Sequence, residues 1–461
     1  MRMTDYIHDF RNKNILVVGM GKSGIAATEA MARLGANVAV QDSKTEDKIN
    51  PQLLSFLKSE KIDRYLGRIP DDMSIYDMLI LSPGVPPGLG FVQEAKASGA
   101  EIAGELEIAY RAGKGRYIAI TGTNGKTTTT SLVGEIFKAA APSSFIVGNI
   151  GVAVISKAME AEDESWLVTE CSSFQLETIG EFRPEVSAIL NLTPDHLDRH
   201  GSMEAYGAAK ARIFENQTSE QYCVLNYDDE ACYALGDGAE VTIVPFSRKK
   251  ELDFGAFVKD GIIVIRNGSG EEIEFCAAGE LKIPGSHNLE NALAAAAIAY
   301  FGGIDPAIIT NVLKEFAGVE HRIELCRTVS GVRFVNDSKG TNTDATIKAI
   351  EAMKENIILI AGGYDKGATY EEFVEAFPGR VKALVLLGKT APKIRAAAEE
   401  SGFTNIYMCS DMEECVNKSY EIAEEGDVVL LSPACASWDM YPNFEERGRH
   451  FKECADRLER K

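Results

Sequence analysis

The chain has 461 residues, 45% apolar and 25% charged, with a formal net charge of −21. That length exceeds one ordinary domain and points to about three. The charge excludes a general binder of nucleic acid or of acidic membranes, while leaving room for a local basic pocket. Nine cysteines without a C-x-x-C pair suit reduced thiols better than a disulfide frame or a zinc site. Residues 1–14 lack the apolar centre of a signal peptide, and the longest apolar run, 292–301, falls far short of the ~20 residues of a membrane span. The expectation is a soluble, cytoplasmic protein of several domains.

In chain order, strand-length apolar runs alternate with helix-length amphipathic segments, the pattern of α/β domains with largely parallel sheets. The first block reads as strand 14–19, helix 23–34, strand 37–41 leading to Asp42, strands at 78–82 and 100–103, and helix 105–112. Gly19-Met20-Gly21-Lys22-Ser23-Gly24 matches G-x-G-x-x-G after a strand, with Asp42 near the distance expected for a ribose contact. The pattern fits a nucleotide diphosphate, and NAD and a UDP group satisfy it equally. Ser82-Pro83-Gly84 ends another strand and is equally readable as a rigid turn. Gly113-Lys114-Gly115 is a candidate hinge.

The second block opens with Ile118-Ala119-Ile120-Thr121-Gly122-Thr123-Asn124-Gly125-Lys126-Thr127-Thr128, an apolar strand that breaks into a Gly-rich turn, a lysine and hydroxyls. Glycines admit phosphate oxygens to the backbone N–H groups, the following helix aims its positive end at them, and Lys126 adds a mobile charge. Thr127 stands where a P-loop places its magnesium-binding hydroxyl, although Ile120 replaces the first glycine of the usual pattern. Glu170 ends the apolar strand 166–170, where ligands of a parallel sheet gather, and is equally placed as a favourable helix N-terminal acid. His196 lies in a turn rich in carboxylates and imidazoles after strand 186–191, and Lys210 sits among small residues in a helical pattern. Strands at 222–226, 240–246 and 261–266 precede an Ala-rich helix, where Asn288 either caps the helix or meets a base. Beyond a second hinge near Gly318, Arg322 offers a guanidinium for phosphate, and strands 332–336, 357–361, 381–387 and 427–432 run into polar motifs at 336–342, 362–367 and 432–439. The domains are therefore expected at 1–112, 113–318 and 319–461: two Rossmann-like domains flanking a central P-loop domain.

Taken in order over nearly the whole chain, these motifs resemble the ATP-dependent Mur ligase family of peptidoglycan synthesis, and 432–448 is most similar to its D-glutamate-adding member. The resemblance implies an amide ligase: ATP phosphorylates the carboxylate of UDP-N-acetylmuramoyl-L-alanine, and the amine of D-glutamate displaces phosphate from the acyl phosphate. By likeness, Lys126 and the loop residues Gly122, Thr123, Asn124, Gly125, Thr127 and Thr128 would hold ATP with Asn288, Arg322 and Asp337. Thr127 and Glu170 would serve one Mg²⁺, and His196 with a carbamylated Lys210 a second. Lys126, Glu170, His196 and Lys210 would form the catalytic centre. Ser23, Gly84 and Asn149 would lie on the UDP-muramoyl side, while Lys339, Thr341, Lys366, Ser437 and Phe444 would surround D-glutamate. Trp438 and Tyr441 are bulky residues beside that amino-acid site. A monomer is expected, without nucleic acid or membrane partners. Two readings of another class remain: an NAD-dependent dehydrogenase, which uses only the first fingerprint, and a non-catalytic nucleotide switch, which leaves the third block unused. Other Mur-type and folate-glutamating ligases are the alternatives within the class.

Overall fold

Four of the five residues in Asn14–Val18 are apolar and buried, so this segment forms an interior strand rather than an edge. A computed structural model, which describes residues 9–353, 356–365 and 368–459, places it at the centre of the first of three sheets. With β1 (Asn14–Val18), β2 (Asn37–Asp42), β3 (Asp63–Leu66), β4 (Met78–Leu81) and β5 (Glu101–Gly104), the order is β3-β2-β1-β4-β5 and every pairing is parallel. The order reverses between β1 and β4, so a crevice opens beyond their C-terminal ends, at Gly19 and Ser82.

The second sheet contains β6 (Arg116–Thr121), β7 (Ser144–Gly148), β8 (Trp166–Glu170), β9 (Val186–Ile189), β10 (Tyr222–Asn226), β11 (Thr242–Ser247), β12 (Gly255–Lys259), β13 (Ile262–Arg266) and β14 (Glu272–Ala277). Their order is β14-β13-β12-β11-β10-β9-β6-β8-β7, parallel from β7 to β12 and antiparallel across the last three. Register puts Ile120, Glu170 and Gly148 level with one another, and Thr121 level with Ile189. The motifs that follow these strands therefore share one sheet edge.

The third sheet, β15 (Glu324–Val329), β16 (Val332–Asn336), β17 (Ile357–Ala361), β18 (Val381–Leu386), β19 (Ile406–Met408) and β20 (Val428–Leu431), has the order β15-β16-β20-β17-β18-β19. Only β15 pairs antiparallel. Asn336, Leu431 and Ile360 are level, so Asp337, Ser432 and Ala361 follow together.

The chain divides into two compact units: Met1–Glu280 with Glu290–Lys314, and Leu281–Leu289 with Glu315–Lys461. The first unit holds two sheets, connected by the helix Glu105–Ala112, which follows β5 directly, and by residues 113–115. Glu105 accepts the Ile155 N–H at 2.6 Å, and Glu107 accepts those of Gly180, Glu181 and Phe182 at 2.8, 2.8 and 3.1 Å. Two acids of one helix thus satisfy backbone donors of the neighbouring domain. None of the nine cysteines is paired; seven are buried, and Cys326 and Cys409 are half-buried. No helix among the described residues is long and apolar enough to cross a membrane.

Candidate active site

β6 delivers a buried run of Tyr117 to Thr121 into the turn 122–125, and the helix Lys126–Ala140 begins at once. Gly125 is its N-cap at φ 81°, left-handed backbone that favours glycine, and a Cβ there would lie 2.3 Å from Asn291 Oδ1. Lys126 Nζ folds over the turn, donating to Gly122 O at 2.9 Å and Thr123 O at 2.7 Å.

Lys210 reaches the same place from the helix Met203–Ala211. Its Nζ donates to Gly122 O at 2.8 Å and lies 4.3 Å from the Tyr206 ring centre, with the residue only 1% exposed. Two lysine nitrogens thus converge on one carbonyl. Burial, and then the charge of Lys126, hold the Lys210 amine well below its ordinary pKa.

Beside the turn, Thr127 Oγ1 donates to Glu170 Oε2 at 2.9 Å and Asn149 Nδ2 donates to Oε1 at 2.7 Å. Glu170 is buried, and neutral donors take both its oxygens. A hard divalent cation matches this hydroxyl–carboxylate pair, because a buried carboxylate without a cationic partner is costly. Thr128 is buried beneath the turn.

His196 sits at φ 53° in the loop after β9, with its N–H on Asp195 Oδ1 at 2.9 Å and its ring 5.0 Å from that of Phe174. Phe174 also stacks on His200 at 5.5 Å and lies under the Arg199 guanidinium at 4.9 Å. His200 Nε2 in turn meets Ser173 Oγ at 2.9 Å. The imidazole of His196 is thereby packed against the segment that carries Glu170. Phe174 and Tyr206 gained no role from sequence reasoning, since an aromatic in an apolar stretch reads as core.

In the first sheet, Asp42 accepts Met20 N on Oδ2 at 2.7 Å and Lys44 N on Oδ1 at 2.8 Å. The carboxylate that a dinucleotide site would spend on ribose shapes the glycine turn instead. Gly24 packs so closely that a Cβ would lie 1.9 Å from Gly19 O. Ser82 Oγ donates to Gly19 O at 2.7 Å, tying the two loops of the crevice together. Ser23 is half-buried at the start of the helix Lys22–Arg33, and Gly84 is exposed with open space before it.

In the second unit, Asp337 is fully buried. Arg322 Nη1 lies 3.7 Å from its Oδ1, and Ser432 Oγ donates to Oδ2 at 2.7 Å. Burial raises its carboxyl to about 6 against the pull of Arg322. The Lys339 ammonium lies 5.1 Å from the Phe444 ring centre, and Thr341 N donates to Lys339 O at 2.9 Å. Arg447, buried and missed by sequence reasoning, donates from Nε to Ser338 Oγ, from Nη2 to Ser338 O and from Nη1 to Cys435 O at 3.0, 2.8 and 3.1 Å. It joins the loop of Lys339 to that of the buried Ser437. Trp438 is 63% exposed beside Tyr364, and Tyr441 meets His450 Nδ1 at 2.8 Å. Asn288 donates to Pro284 O at 2.6 Å, and Lys366 lies outside the described residues.

One further cluster, Glu320, His321 and Glu324, has the spacing of a metal site. Lys452 already bridges the two carboxylates at 3.0 and 2.6 Å. Asn336 Nδ2 donates to His321 Nδ1 at 2.8 Å while its Oδ1 accepts Ser338 N, which puts the imidazole proton on Nε2. The cluster is an ion-pair network.

Three family models match in order: the Mur ligase MurD-like N-terminal domain over residues 13–104, the Mur ligase middle domain over 120–299, and the Mur ligase glutamate ligase domain over 321–435. The chain is 51% identical over 456 residues to the UDP-N-acetylmuramoylalanine–D-glutamate ligase of Thermoanaerobacter sp. strain X514, covering 98% of this chain and all of that protein. It is 50% identical over 452 residues to the ligase of the same name from Clostridioides difficile strain 630, with the same coverage. Among solved structures, UDP-N-acetylmuramate-alanine ligase MurC of Thermotoga maritima superposes with a TM-score of 0.59 at 22% identity, over 96% of this chain and 99% of that one. MurF ligase of Thermotoga maritima in complex with ADP gives 0.59 at 17% identity, over 98% and 97%. These two share the fold. With all three domains matched in order and the whole length aligned to curated relatives, the chain belongs to the Mur ligase family.

Proposed function

We infer that this protein is an ATP-dependent ligase that joins D-glutamate to UDP-N-acetylmuramoyl-L-alanine in peptidoglycan precursor synthesis. Full-length identity of about half to ligases of that name supports the substrates. The observation that carries the chemistry is the convergence of Lys126 and the buried Lys210 on the Gly122 carbonyl, beside the Thr127–Glu170 pair.

In this reading a substrate carboxylate oxygen attacks the γ-phosphorus of ATP, the bond to the bridging oxygen breaks, and ADP leaves. The amine of D-glutamate then attacks the acyl carbon, loses a proton, and inorganic phosphate departs as the amide forms. Lys126 offsets charge on the phosphoryl group in transfer. Thr127 and Glu170 suit one Mg²⁺, and His196 with Lys210 a second; magnesium screens the repulsion between phosphate and carboxylate oxygens. A neutral, buried amine is the form of Lys210 that adds to dissolved carbon dioxide. The new N–C bond forms as a C=O electron pair moves to oxygen and the amine proton leaves, giving an anionic carbamate.

Asn288, Arg322 and Asp337 are assigned to the nucleotide, and Ser23, Gly84 and Asn149 to the UDP-muramoyl group. Lys339, Thr341, Lys366, Ser437 and Phe444 are assigned to D-glutamate. The domains are drawn at 1–112, 113–318 and 319–461, and the protein acts as a cytoplasmic monomer. The test is phosphate release with UDP-N-acetylmuramoyl-L-alanine and ATP against a panel of amino acids. Turnover with D-glutamate alone is expected; turnover with L-glutamate or L-alanine in its place overturns the assignment.

A further inference from the structure

The N–H groups of a phosphate loop are ordinarily counted as phosphate donors, yet two of them here have partners inside the protein. Asn191 lies two residues beyond β9. Its Oδ1 accepts Thr123 N at 3.1 Å and Asn124 N at 2.8 Å, and its Nδ2 donates to Asn124 O at 3.0 Å. The Asn191 backbone carbonyl shares Thr123 N at 3.1 Å. The amide orientation is settled by this pattern, since exchanging oxygen and nitrogen would set donors against donors and a carbonyl against a carbonyl. Two residues on, Thr123 Oγ1 donates to Thr193 O at 3.0 Å and accepts Thr193 N at 3.1 Å. Residues 191–193 are thus a template laid along the turn.

We propose that Asn191 is a positioning residue for the nucleotide: it holds residues 122–125 in their phosphate-accepting shape before ATP arrives, without itself touching phosphate. The proposal rests on the ATP-dependent reading above. Thr123 N and Asn124 N are tied back, so donors to phosphate are drawn from the rest of the turn, the first turn of the helix Lys126–Ala140 and the Lys126 ammonium. An unclamped four-residue turn with glycine at both ends samples many shapes, and nucleotide binding would have to order it. A clamped one has already met that cost, the general advantage of preorganisation. The same segment continues into Asp195 and His196, so the template also sets the turn in register with the loop of the second metal site.

Mg–ADP calorimetry and steady-state kinetics on Asn191→Ala test this. The Kd for ADP and the KM for ATP should rise on the order of tenfold, the loss of a few modest hydrogen bonds. The KM values for the UDP-substrate and for D-glutamate should stay within about twofold, and the ligand-free melting temperature within a few degrees. Thr123→Val, which removes the hydroxyl pair, should weaken ADP in the same direction, and Thr123→Ser should restore it; this pair carries the test if Asn191→Ala does not fold. Unchanged ADP affinity in a folded Asn191→Ala overturns the proposal. So does an equal rise in all three KM values with a large fall in melting temperature, the mark of a merely structural residue. The ligase reading fails separately, if unaltered protein binds ADP but releases no phosphate with any amino acid.

Discussion

Lys210 shows how a side chain acquires a role from its surroundings. Its position among Gly207, Ala208 and Ala209 reads in sequence as one more helix lysine. The fold puts it out of water and aims it at a carbonyl that Lys126 already uses. Lys210→Ala should lower phosphate release by at least about a hundredfold, the usual scale for removing one preorganised electrostatic group. Millimolar short carboxylic acids should restore part of the rate by supplying the missing anionic oxygen, and a stopped-time assay with and without acetate measures it. Normal activity in that variant sinks the carbamate role. Lys126→Ala should abolish phosphate release while circular dichroism stays unchanged. Thr127, Lys126 and Glu170 were legible because a glycine turn or a strand end announces them. Asn191 and Arg447 were not: their partners lie 67 and 109 residues away, and no local pattern marks a side chain whose work is hydrogen bonding across the fold. The rule that ligands gather beyond strand C-termini, applied to β9, was the one available signal for Asn191.

At the scale of elements, the joint between the first two sheets rests on acids inside a helix. The Glu105–Ala112 segment reads as amphipathic, yet Glu105 and Glu107 are as buried as its apolar residues. Among the described residues Glu105 Oε2 has no hydrogen-bond partner, and burial raises its carboxyl to about 7. Because the folded value lies above the unfolded value near 4.5, the folded state binds more protons between those two pH values. Stability from this group is therefore complete below about pH 4.5 and is lost as pH rises through about 7, by up to roughly 3 kcal/mol. Glu105→Gln should abolish that slope and raise the urea midpoint at pH 8 while leaving it nearly unchanged at pH 5. Equal midpoints for both proteins at pH 8 would count against the assignment. Strands were legible where an apolar run is buried on both faces, as in β8 and β17, whose bounds agree with the sequence reading. Of the strands overlooked, β3 and β19 are short edge strands with no fully buried residue, where hydrophobicity carries little signal.

For the whole molecule, the alternation of strands and helices was enough to specify three α/β sheets, and three family models fall on them. What periodicity could not show is the grouping into two compact units, with the chain passing between them at 280–281, 289–290 and 314–315. Which domains share a cooperative core depends on contacts such as those of Glu105 and Glu107, not on local pattern. Scanning calorimetry should accordingly resolve two transitions, and Mg–ADP should raise the one belonging to the unit that holds residues 122–127. A single two-state endotherm without ligand would contradict that independence. The unpaired thiols give each unit its own clock. Cys171, Cys223, Cys232 and Cys276 are sealed in the first unit, and Cys415, Cys435 and Cys454 in the second. A thiol shielded from solvent is alkylated only when its surroundings open, so pulsed labelling read by peptide mass should time the loosening of each unit in the unaltered protein, with no probe introduced.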